Sequence, residues 1–175
     1  MDVNAIVELF RRTVTEHYFD TKGRVGRKEF WWWVGACVAV FIVAAIVDAV
    51  LGFGVLRPLL GLALLLPMTG MGIRRLQDTG TTGNMVTLAW VLCGLSALSQ
   101  VFALLMGLSG PFGALAAVSL FFTLGWLFGL IGLASLVIAV VLIYHWVQPG
   151  ASGENSYGPP PPDFDPMTPT PTKAG

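Results

Sequence analysis

The chain alternates between short polar segments and apolar runs that are long enough to cross a lipid bilayer. A helix needs about 20 predominantly apolar residues for this. Four runs qualify, near residues 30–52, 56–73, 85–108 and 120–147. The pattern therefore predicts an all-α, polytopic integral membrane protein with four transmembrane helices, and it assigns residues 30–148 to a four-span membrane domain.

The segment before the first run has the periodicity of an amphipathic helix. Between residues 3 and 19 the apolar positions share one face and most of the charged positions share the other. The apolar face consists of Val3, Ile6, Val7, Phe10, Val14 and Tyr18. We expect this helix to lie in the membrane interface with that face among the lipids. Packing on a cytosolic partner or on the protein's own loops is the alternative.

Basic residues next to the first span predict its orientation. The polar hinge at residues 20–29 holds four of them: Lys22, Arg24, Arg27 and Lys28. Because basic flanks stay on the cytoplasmic side, we assign residues 1–29 to a cytoplasmic amphipathic helix and basic hinge. Four crossings return the chain to the same side, where residues 149–175 form a Pro-rich tail that we expect to be disordered.

Two stretches of the membrane domain lead to further expectations. A tight turn at Gly52-Phe53-Gly54 should bring Asp48 and Arg57 together as an ion pair at the outer interface. Residues 112–147 are too long for one upright helix but short for two. We expect one tilted span over 120–147, preceded by an apolar segment at the outer surface.

Composition narrows the classes of function. Apolar residues make up 55% of the 175, charged residues only 11%, and the mean hydropathy is +0.74. Since soluble domains carry about 25% charged residues, the composition excludes a soluble globule, a disordered chain, a nucleic-acid-binding domain and a disulfide-stapled secreted module. The sequence contains no Gly-rich phosphate loop and no HExxH, CxxC or GxSxG motif. We therefore expect no enzyme, no cofactor and no metal site.

Three polar motifs should share the cytoplasmic face if the chain crosses four times. Their chemically active residues are Arg24, Arg27 and Glu29 before the first span, Arg74, Arg75 and Asp78 after the second, and Asn155 and Tyr157 in the tail. Guanidinium groups bind both carboxylates and phosphates bidentately. One interpretation is a structural cap, in which Arg24 or Arg27 bonds Asp78 and Arg74 or Arg75 bonds Glu29. The other is a site for an anionic headgroup or phosphate.

The same motifs carry a resemblance to a known family. Residues 23–31, 74–78 and 149–162 resemble the patterns G-R-x-x-R-x-E-F-W, R-R-L-H-D and P-G-x-x-G-x-N-x-Y-G-x-x-P. These patterns belong to the uncharacterised bacterial inner-membrane family called domain of unknown function 805. The histidine of the second pattern is Gln77 in this chain. The resemblance implies a four-helix inner-membrane protein without an established activity.

These observations favour a non-enzymatic structural or interaction protein of the bacterial inner membrane, with both termini cytoplasmic. We expect its arginine-rich face to bind anionic lipid headgroups or an envelope partner. The expected partners are membrane lipids, a second copy of the chain or another envelope protein, and not nucleic acid. The alternative is a small transporter or channel, for which the apolar runs offer few polar residues: Asp48, Ser96, Ser99, Gln100 and Ser135.

Overall fold

The computed structural model describes residues 3–52, 54–95, 110–164 and 166 of the chain. These residues form helices and no regular strand. The helices are α1 (Val3–Thr15), α2 (Arg27–Leu51), α3 (Leu56–Asp78), α4 (Asn84–Leu95) and α5 (Pro111–Val147). The predicted all-α fold class is confirmed over this part of the chain.

Three of the described segments are long and apolar enough to cross a membrane: Arg27–Leu51, Leu56–Asp78 and Gly125–Val147. They correspond to the first, second and fourth predicted spans, and they fit a helical membrane protein. Only the beginning of the predicted third span is described, as α4. Its remainder, with Ser96, Ser99 and Gln100, lies outside the described residues. The count of four spans therefore stays a prediction.

Helix α5 runs without interruption for 37 residues. At 1.5 Å per residue it is about 55 Å long, against a hydrocarbon core of about 30 Å. An unbroken helix cannot turn back, so residues 112–147 cross a bilayer at most once. The apolar segment that we expected before residue 120 continues the same helix, since a helix satisfies all its backbone groups without water.

The chain divides into two compact units. One unit comprises Met1–Gly83 together with Trp146–Gly175. The other comprises Asn84–His145, which is α4 and most of α5. Every site residue predicted from the sequence belongs to the first unit. The division of the chain into a hinge, a membrane domain and a tail stays a prediction.

An aromatic core holds α1 against α2 in the first unit. Trp33 of α2 is fully buried, and Phe10 of α1 stacks on it with the ring centroids 5.1 Å apart. Phe10 and Val14, which we expected among lipids, pack against this core, whereas Val3 and Val7 of the same face are exposed. Helix α1 thus buries part of its apolar face within the protein. Its location at a membrane interface stays a prediction.

The hydroxyl of Tyr18 satisfies a backbone carbonyl inside α3. Pro67 lies within this helix and has no N–H, so the carbonyl of Ala63, four residues earlier, lacks its helical donor. Tyr18 donates a hydrogen bond of 2.7 Å to that oxygen. Because an unpaired carbonyl is costly where water is excluded, this bond ties the segment after α1 to the middle of α3.

The turn between α2 and α3 is organised by Asp48. Gly52 has a φ of 72°, and its N–H donates to the Asp48 carbonyl at 2.9 Å. The Asp48 carboxylate accepts from the backbone N–H groups of Leu56 and Arg57, each at 3.0 Å, and from Arg57 Nε at 3.3 Å. It therefore caps the first turn of α3, whose N–H groups have no partner inside the helix. The expected ion pair is present, while its place at an outer interface stays a prediction.

Candidate functional site

Asp78, the last residue of α3, lies at the centre of the candidate site. Its Oδ1 accepts from Arg24 Nε at 3.0 Å and lies 2.9 Å from Arg24 Nη2, while its Oδ2 accepts from Arg75 Nη1. We call these three residues the arginine cap. The side chains of Arg24 and Asp78 are 1% and 3% exposed, and Arg75 is fully buried. The shared carboxylate offsets part of the cost of burying two guanidinium groups.

The hinge before α2 positions Arg24. Gly23 has a φ of 89°, a conformation that residues with a Cβ rarely adopt. Val25 is buried, and its N–H donates to the Arg74 carbonyl at 3.3 Å. The hinge backbone is thus held against the last turns of α3, with Arg24 beside Asp78. Arg75 reaches the same carboxylate because residues three apart on a helix share a face.

The remaining donors of both arginines bond backbone carbonyls in the last turn of α5 and in the residues that follow it. Arg24 donates through Nη1 to the carbonyls of Gly153 at 2.7 Å and Gly158 at 3.2 Å, and through Nη2 to that of Ala151. Arg75 donates through Nε to the carbonyl of Trp146 at 3.1 Å and through Nη2 to that of Gln148. Positive groups at helix C-termini also offset the helix dipole. The cap therefore joins the ends of two helices to the hinge.

Residues 149–158, which we call the strap, complete the end of α3. The Ala151 N–H donates to the Asp78 carbonyl at 2.9 Å, and Asn155 Nδ2 donates to the Gln77 carbonyl at 2.9 Å. Asn155 Oδ1 accepts from the Tyr157 N–H at 2.9 Å and so forms a local turn. We expected disorder throughout the tail, yet the strap has defined partners because the last carbonyls of α3 need donors from outside the helix.

Two glycines allow segments of the first unit to pack closely against one another. A Cβ built on Gly150 would overlap the Asp78 carboxylate, 2.6 Å from Cγ and 2.8 Å from Oδ1. A Cβ built on Gly70 of α3 would lie 2.7 Å from the Asp20 carbonyl oxygen. The strap and the hinge can therefore lie this close to α3 only because residues 150 and 70 are glycines.

Of the residues in the three predicted motifs, Arg27, Glu29 and Arg74 lie outside both the arginine cap and the strap. Arg27 makes a long 3.4 Å hydrogen bond from Nη1 to the Val147 carbonyl. Arg74 donates to Met71 Sδ at 3.0 Å and interacts electrostatically with Asp20 and Glu29. Of the predicted pairings, Arg24 rather than Arg27 bonds Asp78. Arg75 also bonds Asp78, whereas Glu29 faces the charge of Arg74.

Asp20 belongs to a second charged group in the hinge. Its Oδ1 accepts from the Lys22 N–H at 3.0 Å, and its Oδ2 lies 3.1 Å from His17 Nδ1. The Lys22 N–H, the hydrogen bond from His17 and the charge of Arg74 together hold the pKa of Asp20 below its usual value. The carboxylate form is thus favoured in the folded hinge.

Several residues of the site escaped the sequence interpretation. Gln77 donates from Nε2 to the Thr21 carbonyl at 3.0 Å, and Trp146 donates from Nε1 to the Gly72 carbonyl at 3.2 Å. Gly150 contributes because it has no side chain, since a Cβ at this position would overlap the Asp78 carboxylate. Backbone carbonyls carry no signature in a sequence. On the sequence alone, residues 149 and 150 belong to the tail, and their contact with α3 is not predicted.

The hydrogen bonds of the arginine cap connect parts of the protein to one another and do not form an open site for a ligand. All three guanidinium nitrogens of each cap arginine donate to Asp78 or to backbone carbonyls. A phosphate could displace Asp78 only by leaving a buried carboxylate unpaired, which is strongly unfavourable. The described residues include no group of three or more His, Cys, Asp or Glu that could hold a metal ion. Of the two interpretations, the geometry favours the structural cap.

Helices of membrane-spanning length and a buried, internally bonded charge cluster define the class: a helical membrane-type protein closed by a polar cap. The model of one family, described as a protein of unknown function (DUF805), matches residues 18–159. The chain belongs to this family, which confirms the resemblance seen in the three motifs. No curated protein and no solved structure matches the chain.

Proposed function

We propose that this protein is a non-enzymatic interaction protein of the bacterial inner membrane whose basic cytoplasmic face binds anionic phospholipid headgroups. One observation carries the proposal: cations of the hinge, α2 and α3 differ in burial. Arg24 and Arg75 are bonded inside the arginine cap, whereas Arg27 and Lys28, at the start of α2, are exposed. Basic residues next to a span attract anionic lipids. These exposed cations can therefore contact headgroups while the arginine cap maintains the fold.

We further infer four crossings, with the hinge, the end of α3 and the strap on the cytoplasmic side. Arg75 bonds the carbonyls of Trp146 and Gln148, so the end of α3 lies beside the end of α5. Two points on one side of a membrane are separated by an even number of crossings. Helix α5 supplies at most one crossing, so this contact supports another crossing between Asp78 and α5.

The sidedness can be tested by labelling single cysteines in a variant without Cys37 and Cys93. Ser156→Cys lies in the exposed part of the strap, and Val55→Cys is a matched control in the exposed turn before α3. In intact cells, a membrane-impermeant thiol reagent should label Val55→Cys and leave Ser156→Cys unlabelled until the cells are opened. Labelling of Ser156→Cys in intact cells would overturn the cytoplasmic assignment.

The lipid preference can be tested with the purified protein and native mass spectrometry. In detergent with equal amounts of phosphatidylglycerol and phosphatidylcholine of the same acyl chains, the protein should retain more phosphatidylglycerol. Salt should reduce the excess, because exposed charges are screened over about 10 Å at 0.1 M ionic strength. Equal retention of the two lipids at low salt would contradict the proposed function.

A further inference from the structure

We propose that one acidic phospholipid binds in a groove at the start of α2, an inference that rests on the proposed function and gives it a specific site. The groove has a volume of about 430 Å³. Its lining residues are Arg27, Lys28, Trp31, Trp32 and Gly35. These positions recur at helical spacing, so they form one face of the first turns of α2. Two cations stand at one end of the groove, followed by two indoles and a glycine.

The cationic end suits a phosphate diester. Arg27 and Lys28 are both exposed and stand in the first turn of α2, where the helix dipole adds a partial positive charge. The N-cap residue Gly26 provides no side-chain acceptor for those N–H groups. A guanidinium can bind two phosphate oxygens at once, and an ammonium adds a point charge beside it.

The other end of the groove suits an acyl chain. Trp31 is 39% exposed and Trp32 is part-buried, in contrast to the fully buried Trp33. Exposed indoles beside a span prefer the level of the headgroups, with their rings against the first methylenes. A Cβ built on Gly35 would meet nothing within 4 Å, so the glycine leaves open space beyond the indoles. A headgroup at Arg27 would thus continue into a chain over Gly35.

The neighbouring pocket is a poorer site for an anion, although it shares the same two cations. It has a volume of about 270 Å³, and its lining includes the carboxylates of Glu29 and Asp163. Asp163 Oδ1 lies 3.7 Å from Lys28 Nζ. A phosphate there would face two like charges, whereas the groove over the indoles contains no acidic side chain among its lining residues. Charge complementarity therefore selects the tryptophan-lined side.

The charge requirement can be tested with Arg27→Gln and Lys28→Gln, using Lys22→Gln as the matched control. Lys22 is an exposed cation of the same hinge but does not line the groove. Each groove variant should lower the retained ratio of phosphatidylglycerol to phosphatidylcholine about fivefold, the effect of roughly one basic residue at a membrane surface. The control should change it less than about twofold on the same scale. An equal loss in all three variants would overturn the groove assignment.

The acyl-chain requirement separates a lipid from a free phosphate. Gly35→Leu would fill the far end of the groove without touching the two cations, and it should reduce retention of phosphatidylglycerol. Soluble glycerol phosphate should fail to displace the retained lipid. Full retention in Gly35→Leu, or displacement by glycerol phosphate at the concentration at which the lipid binds, would overturn a lipid-specific site.

The two proposals fail in different ways. A wild-type protein that retains both lipids equally would contradict the proposed function. A wild-type protein that prefers phosphatidylglycerol, with the preference intact in both groove variants, would contradict the groove alone. Protection of the buried Cys37 thiol should match the wild type in every variant, which excludes misfolding as the cause of any loss.

Discussion

Replacing Asp78 by asparagine should destabilise the first unit, because it leaves two buried guanidinium groups without a counter-charge. Breaking a buried ion pair by removing one partner costs about 3–5 kcal/mol. Arg24 and Arg75 keep their hydrogen bonds to backbone carbonyls, so we expect a value near the lower end of this range. A loss of about 3 kcal/mol raises the population of opened molecules roughly 150-fold.

The thiol of Cys37 offers a direct assay of that opening. Cys37 is buried in the core of the first unit, and replacing the exposed Cys93 by serine makes it the single reactive cysteine. The rate of maleimide labelling in detergent should rise in Asp78→Asn by the factor given above. Asp163→Asn is the control, since this carboxylate is 82% exposed and its pair with Lys28 is worth less than about 1 kcal/mol. If Asp78→Asn labels no faster than the control, the arginine cap does not hold the unit together.

Three further variants test other contacts with the same labelling assay. Tyr18→Phe removes the donor to the Ala63 carbonyl and should cost about 1 kcal/mol, the net value of a typical intramolecular hydrogen bond; unchanged labelling would refute this role. Gly150→Ala inserts a methyl group where the Asp78 carboxylate lies, so opening should increase, and Ser152→Ala, on an exposed strap residue, should have no effect. The pKa of Asp20 is lowered in the folded hinge, so its contribution is present above the unfolded pKa near 4 and is lost as pH falls through the lower folded value. Maleimide reacts with the thiolate, so the opened fraction is taken as the labelling rate relative to that of the unfolded chain at the same pH. This fraction should rise below about pH 4 in the wild type, and this part of the rise should be absent in Asp20→Asn.

The pairing of Arg24 with Asp78 could be anticipated from the scarcity of charge. Residues 30–148 contain five charged side chains, and an apolar environment forces such charges into pairs or to the edges. The sequence could not decide between Arg74 and Arg75, however. Consecutive helical residues point about 100° apart, and the inward direction is known only once the hinge has packed on α3.

The contacts made by backbone groups could not be predicted from the sequence. A proline at position 67 leaves the Ala63 carbonyl without its donor in any helix, but no sequence pattern marks Tyr18, 45 residues earlier, as the residue that supplies one. The strap has the composition of a disordered segment, rich in glycine and followed by prolines. Its partners are carbonyls and guanidinium groups that become neighbours only once the residues from Trp146 onward lie beside the end of α3.

One short motif in the hinge provides both a buried arginine and an exposed arginine. Arg24 and Arg27 are three residues apart, a spacing that would place them on one face of a continuous helix. Gly26 between them is extended, with φ −65° and ψ 155°, and α2 begins only at Arg27. The two side chains therefore leave the backbone from different conformations. Arg24 enters the buried cap, while Arg27 stands exposed at the groove. Arg24 and Arg27 are the same residue type, so their different roles follow from their positions before and at the start of α2. Arg24 is structural, and Arg27 is the residue that we assign to lipid binding.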